Sequence, residues 1–158
     1  MEKNKEKLNI VENTTKKLLD LFGVEAKIKE VKKEDNIITV QIEAEEPGIL
    51  IGYHGGTLFS LQLILELIVS KKIGEWTKVV VNIGDYRQKR EEILKKMALS
   101  FTQKVLFSGE PVVLPPLSPQ DRRVIHLFLR DHPDVFSESE GEGENRRLVI
   151  KPRRKIKR

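Results

Sequence analysis

The stretch that decides the fold of this chain is Ile49-Leu50-Ile51-Gly52-Tyr53-His54-Gly55-Gly56-Thr57. Two of its glycines, Gly52 and Gly55, are separated by two residues and lie between an apolar run and an apolar helical segment. A loop of this kind lets backbone N–H groups approach phosphates without obstruction by side chains. Because two glycines at this spacing are common by chance, the interpretation depends on the elements around them.

Hydrophobic periodicity predicts those elements. They are a helix over 5–22, strands over 24–31 and 37–42, a short helical turn over 47–51, a helix over 57–70 and a strand over 77–83. The order α-β-β-α-α-β predicts a three-stranded sheet with helices on one face. The 57–70 helix is apolar all round except for Gln62, Glu66 and Ser70. We therefore expect most of it to be buried, by its own sheet or partly by a second subunit.

A glycine at position 84 divides the chain, and we predict one domain over 1–84, a second over 85–152 and a basic disordered tail over 153–158. The second domain is predicted to contain a helix to about residue 107, a short strand at 112–114, a helix that begins at Ser118-Pro119, and a strand at 147–151. The predicted core face of the long helix comprises Ile93, Met97, Phe101 and Val105. Residues 137–145 are predicted to form a bent connection whose acids pair with nearby arginines.

The composition excludes several classes of protein. The chain has no cysteine, so it has neither disulfides nor thiolate metal sites, which fits a cytoplasmic location. No signal peptide is visible, and the longest apolar segment, residues 58–69, is short of the roughly 20 residues of a membrane span. All three histidines lie outside zinc-protease patterns, and no nucleophile elbow, Walker A loop or EF-hand order is present. We therefore predict no enzyme activity, no metal and no cofactor; a nuclease is the catalytic alternative, and no carboxylate cluster favours it.

Charge is distributed unevenly between the two halves. Residues 1–84 carry 12 Lys, no Arg and 13 acids, whereas residues 85–158 carry 7 Lys, 10 Arg and 11 acids. The planar guanidinium of arginine suits phosphate recognition better than the point charge of lysine. The second half is therefore expected to meet a polyanion.

A cationic stripe is predicted on the helix that begins at Ser118. Arg122, Arg123, His126 and Arg130 fall within an arc of about 100° on that helix. The other side, predicted to be buried, comprises Val124, Ile125, Leu127, Phe128 and Leu129. A solvated face explains the same pattern, but adjacent cations repel each other unless an anion is present, which favours a phosphate partner.

Three segments together resemble a known family. The α-β-β-α-α-β order with Gly52-Tyr53-His54-Gly55 resembles a type II KH domain, and Arg122-Arg123-Val124-Ile125-His126 matches the R-x-x-x-H signature of the R-three-H domain. Residues 131–152 are similar to the end of the bacterial Jag family, also called SpoIIIJ-associated, KhpB or EloR. The resemblance covers nearly the whole chain and implies an α+β type II KH domain followed by a small α+β R-three-H domain.

The resemblance implies a cytoplasmic regulator that binds single-stranded RNA and acts in bacterial cell elongation and envelope growth, with single-stranded DNA as an open alternative. It also implies a partner, either the small KH protein KhpA or a second copy of the chain. Family members often carry an extra N-terminal Jag domain, which we expect to be missing here. The rival interpretation is a protein-interaction adaptor whose KH domain mainly mediates dimerisation.

The resemblance also implies which residues contact RNA. They are Gly52, Tyr53, His54, Gly55 and Gly56 in the loop, and Arg122, Arg123, His126, Arg130, Arg146 and Arg147 in the second half. KH loops commonly place Lys or Arg between the glycines, where this chain has Tyr53 and His54. We therefore expect weak RNA binding by the KH half, or binding that depends on the R-three-H half.

Overall fold

A computed structural model describes residues 2–153, and the chain divides between Arg87 and Gln88 into two compact units. The first unit contains α1 (Glu2–Phe22), β1 (Ala26–Glu34), β2 (Ile37–Ala44), α2 (Pro47–Ile51), α3 (Gly56–Ile73) and β3 (Lys78–Ile83). The following elements are α4 (Tyr86–Ser108), β4 (Val112–Val113), α5 (Pro119–Leu129), β5 (Val135–Glu140) and β6 (Arg147–Pro152). The predicted α+β class and the α-β-β-α-α-β order are confirmed.

The first sheet has the order β1-β2-β3, with β1 antiparallel and β3 parallel to β2. Alternate residues of the two parallel strands are buried, because successive side chains of a strand lie on opposite faces. The buried residues are Ile38, Val40, Ile42, Val79, Val81 and Ile83. Helices α1 and α3 contact each other and pack with these residues, so they cover one face of the sheet, as predicted.

The polar stripe of α3 faces the edge of strand β3. Backbone N–H groups along this edge donate to side chains of α3: Thr77 to Ser70 Oγ at 2.9 Å, Val79 to Glu66 Oε1 at 3.0 Å, and Val81 to Gln62 Oε1 at 3.2 Å. An edge strand otherwise presents unpaired N–H groups that invite further strand pairing. The polar side chains of α3 therefore satisfy these N–H groups and block the pairing of a further strand at this edge.

The opposite side of α3 is apolar and lies in solvent. Phe59, Leu63, Ile64 and Leu67 are 44–53% exposed. The sheet of this chain therefore does not bury most of α3, because the polar stripe takes up part of the inward face. The alternative, partial burial by a second subunit, stays a prediction. The longer segment Pro47–Ile73 is long and apolar enough to cross a membrane by composition alone, but the glycine loop interrupts it and the inner face of α3 packs on the sheet.

The second sheet has the order β4-β6-β5 and is antiparallel throughout. Residues 137–145 are not the bent connection predicted from the sequence, because 137–140 belong to β5, which pairs with β6. Glu138 and Glu140 pair with Lys151 of β6 rather than with arginines. These two contacts raise the pKa of Lys151.

The core of the second unit uses only part of the predicted face of α4, since Val105 is buried as predicted but Ile93 is not. Leu94, Ala98 and Val105 are buried, whereas Ile93 is 51% exposed. Met97 and Phe101 pack only partly against this core. The buried positions Leu94 and Ala98 lie one residue beyond the predicted Ile93 and Met97, so the core face is turned slightly from the predicted one.

Candidate nucleic-acid interface

The glycine loop between α2 and α3 depends on unusual backbone angles. Gly52 has φ 71° and ψ −174°, a region essentially restricted to glycine, and Gly55 has φ 82° and ψ 11°. His54 also has a positive φ of 49°, a conformation that histidine adopts more often than most residues. The loop leads directly into the first turn of α3, whose N–H groups favour an anion.

The three glycines of the loop have different structural needs. A Cβ at Gly52 would lie 2.1 Å from Thr57 Oγ1 and 2.8 Å from the backbone nitrogen of Thr57. A Cβ at Gly55 would lie 3.0 Å from the hydroxyl oxygen of Tyr86. Gly56 has helical angles, and a Cβ there would meet no atom within 4 Å. Gly52 and Gly55 are therefore required by the fold, whereas Gly56 can be replaced.

The side chains between the glycines form an aromatic pair. The rings of Tyr53 and His54 stack with centroids 4.0 Å apart and an interplanar angle of 19°. Tyr53 is 86% exposed. The N–H groups of Gly52 and Gly55 already donate to the carbonyls of Gly48 and Gly52, and the N–H of Gly56 donates to the carbonyl of Tyr53. The loop thus offers an exposed ring beside the first turn of α3, without a permanent cation of its own.

In the second unit, helix α5 is fixed by its first turn. Ser118 Oγ accepts a hydrogen bond from the N–H of Asp121 at 3.1 Å, as its predicted N-cap role requires. The carboxylate of Asp121 is buried and accepts from Arg90 of α4, at 2.7 Å from Nη2 and 3.4 Å from Nε. The sequence analysis missed this ion pair, although an acid in the first turn of a helix was a visible signal.

Four of the predicted contact residues line one groove of the second unit. They are Arg122, Arg123, His126 and Arg146, together with Ser139, Pro119 and Gln120. Arg122 Nη1 donates to the carbonyl of Leu117 at 2.7 Å, which holds the guanidinium in place. Three guanidinium groups around one concave surface suit bidentate binding of phosphate.

His126 has a buried partner that the sequence did not reveal. Its Nδ1 lies 3.0 Å from Oγ of Ser137, a buried residue of β5. This hydrogen bond fixes the orientation of the ring, so a ligand in the groove would meet Nε2. Ser137 was missed because β5 was not recognised as a strand.

The remaining two predicted arginines do not line this groove. Arg130 lies beside Asp131, with Nε 3.5 Å from the carboxylate. Arg147 Nη1 donates to the backbone carbonyls of Glu144 and Arg146. The residues predicted to form the buried side of α5 are also partly misplaced, since Ile125 and Leu129 are buried but Leu127 and Phe128 are exposed.

The predicted tail is described only at its first residue. Arg153 donates to the carbonyls of His132 at 2.8 Å and Arg130 at 3.0 Å, so this residue is fixed rather than part of a loose tail. The other residues of the predicted tail, 154–158, lie outside the described part of the chain. Within residues 2–153, no three His, Asp or Glu side chains are grouped as a metal site would require.

Comparison with known proteins places both units in families. Residues 9–83 match the KhpA/KhpB KH domain, and residues 92–152 match the R-three-H domain. The chain is 30% identical to the RNA-binding protein KhpB of Bacillus subtilis, over 96% of this chain and 88% of that protein. It is 33% identical to KhpB of Clostridium symbiosum and 32% identical to KhpB of Streptococcus pneumoniae, but spans only 60% and 40% of those proteins.

Proposed function

Because the chain belongs to the KhpB family, we propose that it is a non-enzymatic protein that binds single-stranded RNA with both of its units. The relatives named above are described as RNA-binding proteins. The observation that carries the proposal for this chain is the groove lined by Arg122, Arg123, His126 and Arg146. Three permanent cations in one concave surface repel each other unless a polyanion is bound.

The loop supplies the second proposed contact. Gly52 and Gly55 hold the backbone in a shape that a phosphate chain can approach, and Gly56 begins the helix that follows. Tyr53 offers a ring on which a base can stack, and the ring of His54 stacks against it. The other proposed contacts, Arg130 and Arg147, extend the basic surface outside the groove.

The groove is tested by a double variant. Arg122→Ala with His126→Ala removes one fixed cation and the positioned ring, whereas Lys96→Ala with Gln103→Ala removes one exposed cation outside the groove. We expect only the first pair to weaken binding of single-stranded RNA and to reduce the salt slope by about 0.7 per lost phosphate contact. Equal affinities for both pairs in a low-salt titration, with folding intact, would exclude the groove.

The loop is tested at Gly56. Gly56→Asp places a carboxylate at the end of the loop, at a position where a Cβ meets no atom within 4 Å, and Gly56→Ala is its matched control. We expect the aspartate to repel phosphate and the alanine to leave binding unchanged. A competition with single-stranded DNA of the same sequence then decides between RNA and DNA as the preferred ligand.

The proposal extends to the cellular role. Family membership supports a cytoplasmic regulator of bacterial cell elongation and envelope growth. Depletion of the protein should then change cell length, and a chain with both Gly56→Asp and the Arg122→Ala, His126→Ala pair should fail to restore it. Restoration by this chain, in which the loop and the arginine groove are both changed, would refute a role through RNA bound at these two sites.

A second candidate function is association through α3, with the small KH protein KhpA or with a second copy of this chain. The exposed face formed by Phe59, Leu63, Ile64 and Leu67 favours it, because contiguous apolar surface of this kind is a common interaction site. Leu63→Lys with Leu67→Lys should abolish association in analytical ultracentrifugation. Leu21→Lys, at another strongly exposed leucine, is the control and should have no effect.

A further inference from the structure

A second basic groove lies in the first unit, where β3 begins. Its lining includes Lys7 of α1, Lys33 of β1, Asn36, Trp76 and Lys78. The indole of Trp76 is 67% exposed. A single exposed aromatic residue is ordinary, but an exposed ring among three lysines combines the two features that bind single-stranded nucleic acid.

The turn that carries Trp76 is held firmly. Gly74 ends α3 in a left-handed conformation, and its N–H donates to the carbonyl of Ser70 at 2.9 Å. Thr77 is fixed on the other side of Trp76, since its N–H donates to Ser70 Oγ and its hydroxyl donates to the carbonyl of Glu75. The ring is therefore displayed by an ordered backbone, which lowers the entropic cost of stacking a base on it.

The groove carries an excess of positive charge. Glu75 is its one acid among the described lining residues, and it pairs with Lys7. The contact with Lys7 lowers the pKa of Glu75, and the charges of Lys3 and Lys33 lower it further. The groove therefore carries three lysines against the single carboxylate of Glu75, which leaves an excess of positive charge.

This groove is separate from the glycine loop. The loop precedes the first residue of α3, whereas Trp76 follows its last residue. A helix of 18 residues is about 27 Å long, so the two sites lie at opposite ends of α3. A nucleic-acid contact at Trp76 would be an additional one.

We propose that this groove, defined by Lys7, Lys33, Trp76 and Lys78, is a second binding site for single-stranded RNA. A base stacks on the indole of Trp76, and the adjacent phosphates lie against Lys33 and Lys78. The inference rests on the proposed function, since it assumes that the chain binds RNA. It adds a site that neither the glycine loop nor the arginine groove supplies.

Trp76 reports on its own site, because it is the only tryptophan of the chain. The experiment titrates the full chain with single-stranded RNA of about 12 nucleotides and follows both tryptophan emission and the anisotropy of labelled RNA. We expect RNA to quench the emission, and quenching to persist when Gly56→Asp is combined with Arg122→Ala and His126→Ala. Trp76→Ala should weaken binding by about tenfold in that background, and Trp76→Phe should retain most of it.

The lysines are tested with the fluorophore in place. Lys33→Gln with Lys78→Gln should reduce both the quenching and the affinity, while Lys16→Gln with Lys17→Gln, on the exposed side of α1, should change neither.

If anisotropy shows that RNA binds but the tryptophan emission is unchanged, and Trp76→Ala binds as the parent does, this site is refuted and the proposed function stands. If the parent chain binds no RNA at low salt, both are refuted. Emission that shifts with protein concentration alone would mark Trp76 as a contact between copies and would also refute the site.

Discussion

The different needs of the loop glycines lead to a sharp prediction about stability. Gly52→Ala should destabilise the first unit, whereas Gly56→Ala, four residues away, should stabilise it. Both changes add one methyl group to the same loop region, so a difference between them reports backbone conformation and local space.

The expected magnitudes follow from the backbone angles. Alanine at Gly52 would have to occupy a region that is essentially restricted to glycine, which costs about 1–3 kcal/mol. Its Cβ would also lie 2.8 Å from the backbone nitrogen of Thr57, which cannot rotate away. The sum is about 3 kcal/mol or more. At Gly56 the angles are helical and the space is open, so alanine should stabilise by about 0.5–1 kcal/mol.

Urea unfolding followed by tryptophan emission measures this difference. The only tryptophan, Trp76, belongs to the first unit, so its emission reports the unfolding of that unit. With a slope of about 2 kcal/mol per molar urea, Gly52→Ala should lower the midpoint by about 1.5 M and Gly56→Ala should raise it slightly. If Gly52→Ala unfolds within about 1 kcal/mol of the parent, the loop does not have this geometry.

Three further stability predictions concern polar contacts. Asp121→Asn should cost the second unit about 3 kcal/mol in thermal unfolding, because it removes the buried carboxylate charge that pairs with Arg90; a loss below 1 kcal/mol would contradict a buried ion pair. Glu66→Leu should cost about 1–3 kcal/mol, since the N–H of Val79 loses its acceptor, whereas Glu66→Gln should retain most of the stability; equal losses would show that the charge, rather than the acceptor, matters. Ser118→Ala should cost about 1 kcal/mol by removing the N-cap of α5, and an unchanged melting temperature would refute that role.

Local signals explain what could be predicted from the sequence. The positions of Gly52 and Gly55 indicated the loop, and the pair Ser118-Pro119 indicated the start of α5, because turn and cap preferences depend on neighbouring residues. The R-x-x-x-H spacing similarly placed Arg122 and His126 on one helix, one turn apart. The structure adds that Arg146, distant in sequence, joins them at the same groove.

Non-local contacts explain what was missed. Nothing near Glu66 in the sequence shows that its carboxylate meets the edge of a strand 13 residues away. The pair of Arg90 and Asp121 spans 31 residues, and Ser137 contributes to the groove only through the pairing of β5 with β6. A polar strand with few apolar residues carries a weak periodic signal, so its partner determines it more than its own composition does.

The two RNA contacts proposed for this chain, the glycine loop and the arginine groove, should differ in how their affinity depends on salt concentration. A loop that binds through the Tyr53 ring and the first turn of α3 releases few counterions, whereas each arginine that contacts a phosphate steepens the salt dependence by about 0.7. Loss of all three groove arginines, Arg122, Arg123 and Arg146, should therefore reduce the slope by about 2, while Gly56→Asp should reduce affinity at every salt concentration with a smaller change of slope. If Gly56→Asp changes the salt slope as much as the triple arginine variant does, the loop binds RNA mainly through charge, and this reasoning is refuted. Because the loop has no Lys or Arg between its glycines, the cations would then have to come from other residues near Tyr53 and His54.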